Sequence, residues 1–499
     1  MRTTARLAMI SQVLGGSFVA IAFFGFLWMN IPGGGGWIPV FAIVSAAMLA
    51  VARQKGNTAL AVLSNVRRIL PSASPAVWLF GAVVLGVSLR IFVAMLFPPV
   101  PSGNWNLDML RYWDLAHKLV EGMDYTTPEG RANWPPGLPL VLVLLLPAFG
   151  SSAFLAYNIG TFAITEIATF MLGRMLAGWQ AGCLAAFFLA VWPNFVFAAP
   201  LLLKECLVIA LWPTAAFFYL KACEVLSDKK AGLYALLAGA SLGYSALTQP
   251  SAMLLPLCLA LFSIITNGWH RRTLICVFAT AFGFLAVVAP WTVRNYVVLH
   301  HFVPIITAGG GNFFMVHRPQ SDGRHGGLTD EERNALGADE VAQNERGYLL
   351  GIKSIHDYPL HFFSTLAKKP FYLFGQDTKN LYWNFEHEDG REDTPEKYAL
   401  PYWLSNTFYL GIILLIAMMV MGKQYVRDAT PALILPWLFT LYPIFAHSLF
   451  EGAERHRYGA FPFLAIFAAM ALVMAGRREM LVPALVGMSV PSAGRNLPV

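Results

Sequence analysis

Apolar runs of about 20 residues, the length needed to cross roughly 30 Å of hydrocarbon, recur from one end of this chain to the other. They predict membrane helices near 8–29, 37–52, 77–97, 152–175, 179–198, 203–223, 231–248, 251–267, 273–292, 402–421, 430–447 and 458–476. A secretory signal peptide does not explain this pattern, because the runs never stop. Leu138–Phe149 is apolar but only about 12 residues long, too short to span comfortably, so a re-entrant or interfacial helix is expected there. Two longer polar stretches interrupt the series, one at 98–137 and one from Arg294 to Pro401. In the second, Thr329-Asp330-Glu331-Glu332 reads as a capping box that opens a helix, and Pro359 and Pro370 punctuate the residues after it. The expectation is an all-α polytopic membrane protein of about 12 transmembrane helices, with the short helix and external amphipathic helices added.

Composition supports this. Of 499 residues, 57% are hydrophobic and 13% charged, against roughly 25% charged in soluble domains. The net charge of +7 does not point to nucleic acid, because the cations sit between apolar runs. Arg53, Lys55, Arg67, Arg68, Arg174, Lys221, Lys229, Lys230, Arg271, Arg272, Lys423, Arg427, Arg477 and Arg478 mark one set of helix ends. By the positive-inside rule these are cytoplasmic. The expected parts are two N-terminal membrane helices with a cytoplasmic loop (1–75), a membrane core (76–292) with its first external loop (98–137), a partly helical external segment (293–401), C-terminal membrane helices (402–476) and a cytoplasmic tail (477–499). The five cysteines all fall inside apolar runs and read as small core residues.

Polar chemistry then gathers on the opposite side. Asp108 sits near a helix start just after a membrane helix, with Tyr112, Leu115, Ala116 and Leu119 at helical spacing. It is either an N-cap carboxylate or a functional one. Glu205, about one turn inside a membrane helix, is a functional candidate by the same reasoning, or an interfacial carboxylate exposed to water. Lys204 beside it is expected to snorkel away, since adjacent helix residues do not share a face. Arg294 closes the helix of APWTVRNY, where a cation suits the helix dipole. Arg294, Arg455 and Arg457 nevertheless depart from the positive-inside pattern, and a guanidinium there can grip a phosphate bidentately. Lys353, Lys368 and Lys369 are weaker candidates, equally explained by a solvated helix face. The histidines lack the spacing of a helical metal site, and no phosphate-binding loop is present.

Five stretches, in order, carry a resemblance. They are Asp108…Tyr112…Ala116…Gly122…Tyr125 with Trp134-Pro135-Pro136-Gly137-Leu138-Pro139; Lys204-Glu205; Leu247-Thr248-Gln249-Pro250; Pro290-Trp291-Thr292-Val293-Arg294-Asn295-Tyr296 continued by Phe302-Val303-Pro304 and Gly309-Gly310-Gly311-Asn312; and Arg457-Tyr458-Gly459-Ala460-Phe461-Pro462. Over residues 76–476 the chain resembles the GT-C superfamily of polyprenyl-phosphate-dependent glycosyltransferases, in particular the family 39 type that includes protein mannosyltransferases and lipid A aminoarabinose transferases. Lys204 and Gln249 depart from the common pattern, as does the single Asp108 where some relatives carry Asp-Glu.

The resemblance implies a GT-C-like fold and an inverting sugar transfer at the outer face of the cytoplasmic membrane. The donor would be a sugar on polyprenyl phosphate, and the acceptor a lipid, a protein or a glycan. It implies Asp108 as general base, with Glu205 orienting the acceptor or a metal or assisting the base. Arg294 and Arg457 would meet the leaving phosphate, and the Trp134 turn would shape the cleft; Tyr112, Tyr458 and Lys353 are further candidates for binding substrate. A divalent metal occurs in some members of the superfamily and not in others. Two other classes compete. A transporter or flippase of lipid-linked sugars would show midplane charges and matching halves; Glu166 is the clearest deep charge, and no matching halves are seen. A non-catalytic envelope assembly protein that retains the fold is the other.

Overall fold

The computed structural model describes residues 2–30, 74–97, 107–324, 326–385, 395–422, 425 and 430–475. The described residues form helices and no strand beyond the isolated bridge of Thr127 with Gly130. The expected helix at 37–52, the domain boundary near 75 and the tail 477–499 lie wholly or partly outside them.

Ten helical stretches among the described residues are long and apolar enough to cross a membrane. In chain order the helices begin with α1 (Arg2–Asn30) and α2 (Pro75–Leu96), the latter opened by Ser74 accepting from the Val77 amide. Next come α3 (Leu107–Val120), α4 (Gly137–Phe149) and α5 (Ala153–Ala177). The short apolar stretch is thus a separate 13-residue helix, as its length predicts. The expected span at 179–198 is shorter than read. Helix α6 (Trp179–Val191) stops before Trp192-Pro193, because a residue preceding proline is forced out of the helical region, and a four-residue turn of helix α7 (Pro193–Val196) follows.

Helices α8 (Glu205–Glu224), α9 (Asp228–Thr248) and α10 (Leu255–Asn267) continue the bundle. Helix α11 (Arg271–Leu299) runs past the expected end, so Arg294 lies within it and not at its terminus. The apolar Val297, Val298 and Leu299 carry the helix onward after the arginine. The long polar stretch folds as α12 (Gly309–His317), α13 (Asp330–Leu336), α14 (Glu340–Asp357), α15 (Pro359–Phe374) and α16 (Lys379–Phe385). Thr329 and Glu332 form the expected capping box, and Pro359 takes the first turn of α15. Helices α17 (Pro395–Met421), α18 (Ile434–Ser448) and α19 (Phe461–Ala475) complete the chain, with a 3-10 turn at Glu454–Ala460 leading into α19.

Packing explains which helices face lipid. The stretch Glu454–Met474 is 94% buried, whereas only 28% of the apolar windows of α2 and α11 is covered, so α19 is the axis and α2 and α11 are walls. Helix α1 packs against α15, α17 and α18. Phe18 packs edge-on against Phe374 of α15 and against Trp437 of α18, which itself stacks on Phe467 of α19.

Candidate functional site

The loop between α3 and α4 is built before any chemistry is added. Gly130, at φ +146°, sits where a Cβ would stand 2.4 Å from the Glu340 carboxylate. The close approach lets that carboxylate accept from the amides of Arg131 (2.7 Å) and Ala132 (3.0 Å) and from the Thr307 hydroxyl (2.7 Å). Helix α14 therefore latches the loop at its own first residue. Gly137 plays the same part at the other end, since a Cβ there would strike Thr248, and Tyr244 Oη donates to the Gly137 carbonyl at 2.8 Å. Arg294 is used in this scaffold. It donates to the carbonyls of Arg131 (2.7 Å) and Tyr125 (3.0 Å) and lies over Trp291 and Tyr125. Its guanidinium holds the loop in the ligand-free protein.

That scaffold fixes Trp134. Its indole N–H donates to Glu129 Oε2 at 3.3 Å, and its ring meets Tyr112 edge-on at 5.6 Å. Arg111 holds the other carboxylate oxygen of Glu129. Burial works against the ionised form of Glu129, yet hydrogen bonds from Arg111, Thr127 and Trp134 hold it below the usual carboxylate range.

Asp108, in the first turn of α3, meets Arg455 from the turn before α19, with Nη1 donating to Oδ2 at 3.1 Å. Arg455 also lies 3.6 Å from Glu451, which is 3.4 Å from Nε2 of His456. Buried beside this pair are two polar atoms without a hydrogen-bond partner, Tyr112 Oη and Glu205 Oε1. Burial, with Asp108 and Glu205 close by, raises the Tyr112 phenol well above its usual range, so it stays a neutral donor. Glu205 is the first residue of α8 and not a turn inside it, a place where a carboxylate complements the helix dipole. Lys204, expected to point away, stands 5.9 Å from the Tyr112 ring. Asp108, Tyr112, Glu205, Lys204 and Arg455 therefore surround one polar centre. A buried group left unpaired is costly, and the two unpartnered atoms lie beside this centre.

Arg457 and Tyr458 lie elsewhere. Arg457 is fully buried and pairs with Asp377, equally buried, at 2.7 Å; it also donates to the Leu373 carbonyl and Tyr409 Oη. Asp377 accepts further from Trp192 Nε1 (2.6 Å) and Asn194 Nδ2 (3.0 Å). Tyr458 and Glu454 join through Asn194, and Glu454 takes the amides of Thr378 and Lys379 at 2.7 and 2.9 Å. This network, which sequence reasoning missed, ties α7, α16 and the turn before α19 together. Lys353 is exposed on α14 and shows no contact with the Asp108 centre.

Among the described residues no three His, Cys, Asp or Glu side chains converge to hold a metal ion. The donor set around Asp108 is interrupted by Arg455, so a divalent metal does not fit it as it stands.

Three solved structures are similar to this chain. The apo oligosaccharyltransferase of Archaeoglobus fulgidus matches with a TM-score of 0.51 at 14% identity, over 80% of this chain and 50% of that one. The AglB of the same organism, in complex with an inhibitory peptide and a dolichol-phosphate, matches with a TM-score of 0.47 at 13% identity, over 79% and 50%. ArnT from Cupriavidus metallidurans bound to undecaprenyl phosphate gives 0.41 at 15% identity, over 81% and 78%. The chain spans about half the length of the archaeal oligosaccharyltransferase. No protein-family model matches the sequence, and no curated protein matches it. At these identities the likeness is one of fold: the chain shares the polytopic helical architecture of the archaeal oligosaccharyltransferase.

Proposed function

We propose that this chain transfers a sugar from a polyprenyl-phosphate-linked donor to a hydroxyl of a lipid, protein or glycan acceptor, with inversion, at the Asp108 centre. One observation carries the reading: within a GT-C architecture, a half-buried carboxylate faces two unpartnered polar atoms and shares an arginine with a second acid. Carboxylates serve as general bases when the proton they take is within hydrogen-bond reach. In the ligand-free protein Arg455 donates to Asp108. An incoming phosphate competes for that guanidinium, and a charge-assisted bidentate contact suits it. Arg455 then stabilises the charge that grows on the leaving phosphate as the bond from sugar carbon to phosphate oxygen breaks. Asp108, released, takes the proton of the acceptor hydroxyl as its oxygen bonds to the same carbon from the opposite face. Tyr112 donates to the sugar or acceptor, and Glu205 orients the attacking hydroxyl. We assign the phosphate contact to Arg455, because Arg294 and Arg457 are held by the scaffold. The basic residues at the opposite helix ends lead us to take the site as facing the periplasm or exterior, in the cytoplasmic membrane.

The test is transfer itself. Purified protein is incubated with a panel of radiolabelled polyprenyl-phosphate sugars and extracted envelope glycolipids and proteins. The wild type should move label; Asp108→Asn, still folded, should lose a hundredfold or more, a typical order for a general base. Equal transfer by both proteins removes Asp108 from the base's role. Donor binding without transfer to any acceptor favours a carrier of lipid-linked sugars.

A further inference from the structure

Helices α14 and α15 meet at a corner whose outward face is apolar and covered by none of the described residues. Leu349 is 67% exposed, Leu360 84% and Phe363 62%, with Ile352 and Tyr358 between them also exposed. We infer that this corner docks on an anionic lipid surface, the leaflet on the same side as the Asp108 centre.

Position comes first. The corner is slung between the ends of two long membrane helices. Glu345 of α14 reaches His301 just beyond α11 at 4.0 Å, and Phe371 and Tyr372 of α15 pack on Trp28 in the last turns of α1, each at 5.4 Å. Both α1 and α11 have 29 residues. At 1.5 Å per residue each is roughly 43 Å long, more than the hydrocarbon core, so their ends stand at headgroup depth. Exposed Tyr296 and Phe302 at the end of α11 fit that depth, where aromatic residues collect. Contacts near this level anchor both ends of the corner, so its apolar face has lipid within reach.

Charge selects the kind of lipid. Arg346 and Lys353 on α14 are exposed and Lys368 on α15 is half-buried. Glu345 and Asp357, beside His301 and His356, offset part of this charge and leave the cations in small excess. An amphipathic helix with apolar residues on one side and cations beside them binds in the interface and prefers anionic headgroups. Lys353, outside the Asp108 centre, finds a role here. Docking holds α14 at a fixed height, and α14 holds the site loop through Glu340.

The full chain is reconstituted in nanodiscs of phosphatidylcholine with phosphatidylglycerol, carrying the photo-crosslinker p-benzoyl-phenylalanine at position 360 or 363. The same group at position 333, on exposed α13, is the control. Mass spectrometry reads the adducts. Lipid adducts at 360 and 363 but not 333, enriched severalfold in phosphatidylglycerol over its bulk share, are expected. Lys353→Glu should reduce that enrichment while leaving the fold, judged by size-exclusion profile, unchanged. Absence of lipid adducts at 360 and 363, cross-links between two copies of the chain in their place, or adducts in bulk lipid proportion each overturn the inference. None of these outcomes depends on sugar transfer.

Discussion

Arg457→Met is the sharpest test of how the C-terminal turn is built. Arg457 and Asp377 are both inaccessible to solvent and lie 2.7 Å apart. Removing the guanidinium leaves the Asp377 carboxylate buried, with the Trp192 indole and the Asn194 amide as its remaining side-chain donors. Breaking a buried pair from one side costs about 3–5 kcal/mol, because the surviving charge has no compensation. The carbonyl of Leu373 also loses its donor. Asp377→Asn should cost a comparable amount by stranding the cation. The double variant removes both charges, so it should be more stable than the sum of the singles implies, with an interaction energy of about 1–3 kcal/mol. Unfolding in mixed micelles, followed by tryptophan fluorescence, measures each corner of this cycle. If Arg457→Met unfolds within about 0.5 kcal/mol of the wild type, the keystone role is wrong. If it also abolishes transfer, Arg457 acts on substrate, as its motif suggests.

The other predictions use the same protein. Tyr112→Phe deletes a hydroxyl without a hydrogen-bond partner, so stability should hold within about 0.5 kcal/mol while transfer falls at least tenfold; a stability loss with unchanged transfer would refute a ligand-facing phenol. Burial lowers the Lys369 ammonium to about 8, below its usual value near 10.4. Folding thus disfavours the charged lysine, and stability should rise as pH increases from about 8 to about 10.4. Lys369→Met should flatten that rise, and a melting series across this range checks it. Gly130→Ala puts a methyl group against the Glu340 carboxylate and should expose the loop to protease; cleavage unchanged from wild type would sink the latch.

The spans were legible because lipid imposes length and apolarity on each of them. Their ends were less so. Pro193 held the signal for the break after α6, but the apolar residues on both sides masked it. Asp108 and Tyr112 showed themselves through helical spacing after a membrane helix. Arg455 and Arg457 could not be told apart by type. What separates them is local geometry: Glu454–Ala460 is a 3-10 turn, and its three-residue period puts Glu454 and Arg457 on one side and Arg455 on another. The spacing of Glu454 and Arg457 was the available clue. Asp377, Asn194 and Asn380 gave none, since their partners lie far away in sequence.

The two arginines also show how the turn before α19 serves two ends at once. Glu454 and Arg457 face inward and lock the turn to α7 and α16 through buried bonds. Because that lock is rigid, Arg455 between them is presented at a fixed place, within 3.1 Å of Asp108 on a helix from the far end of the sequence. A guanidinium shared between the proposed base Asp108 and Glu451 can be redirected, since neither contact is fully buried. An anionic donor is the kind of ligand that can redirect it. The proposed base would therefore become available when the donor arrives.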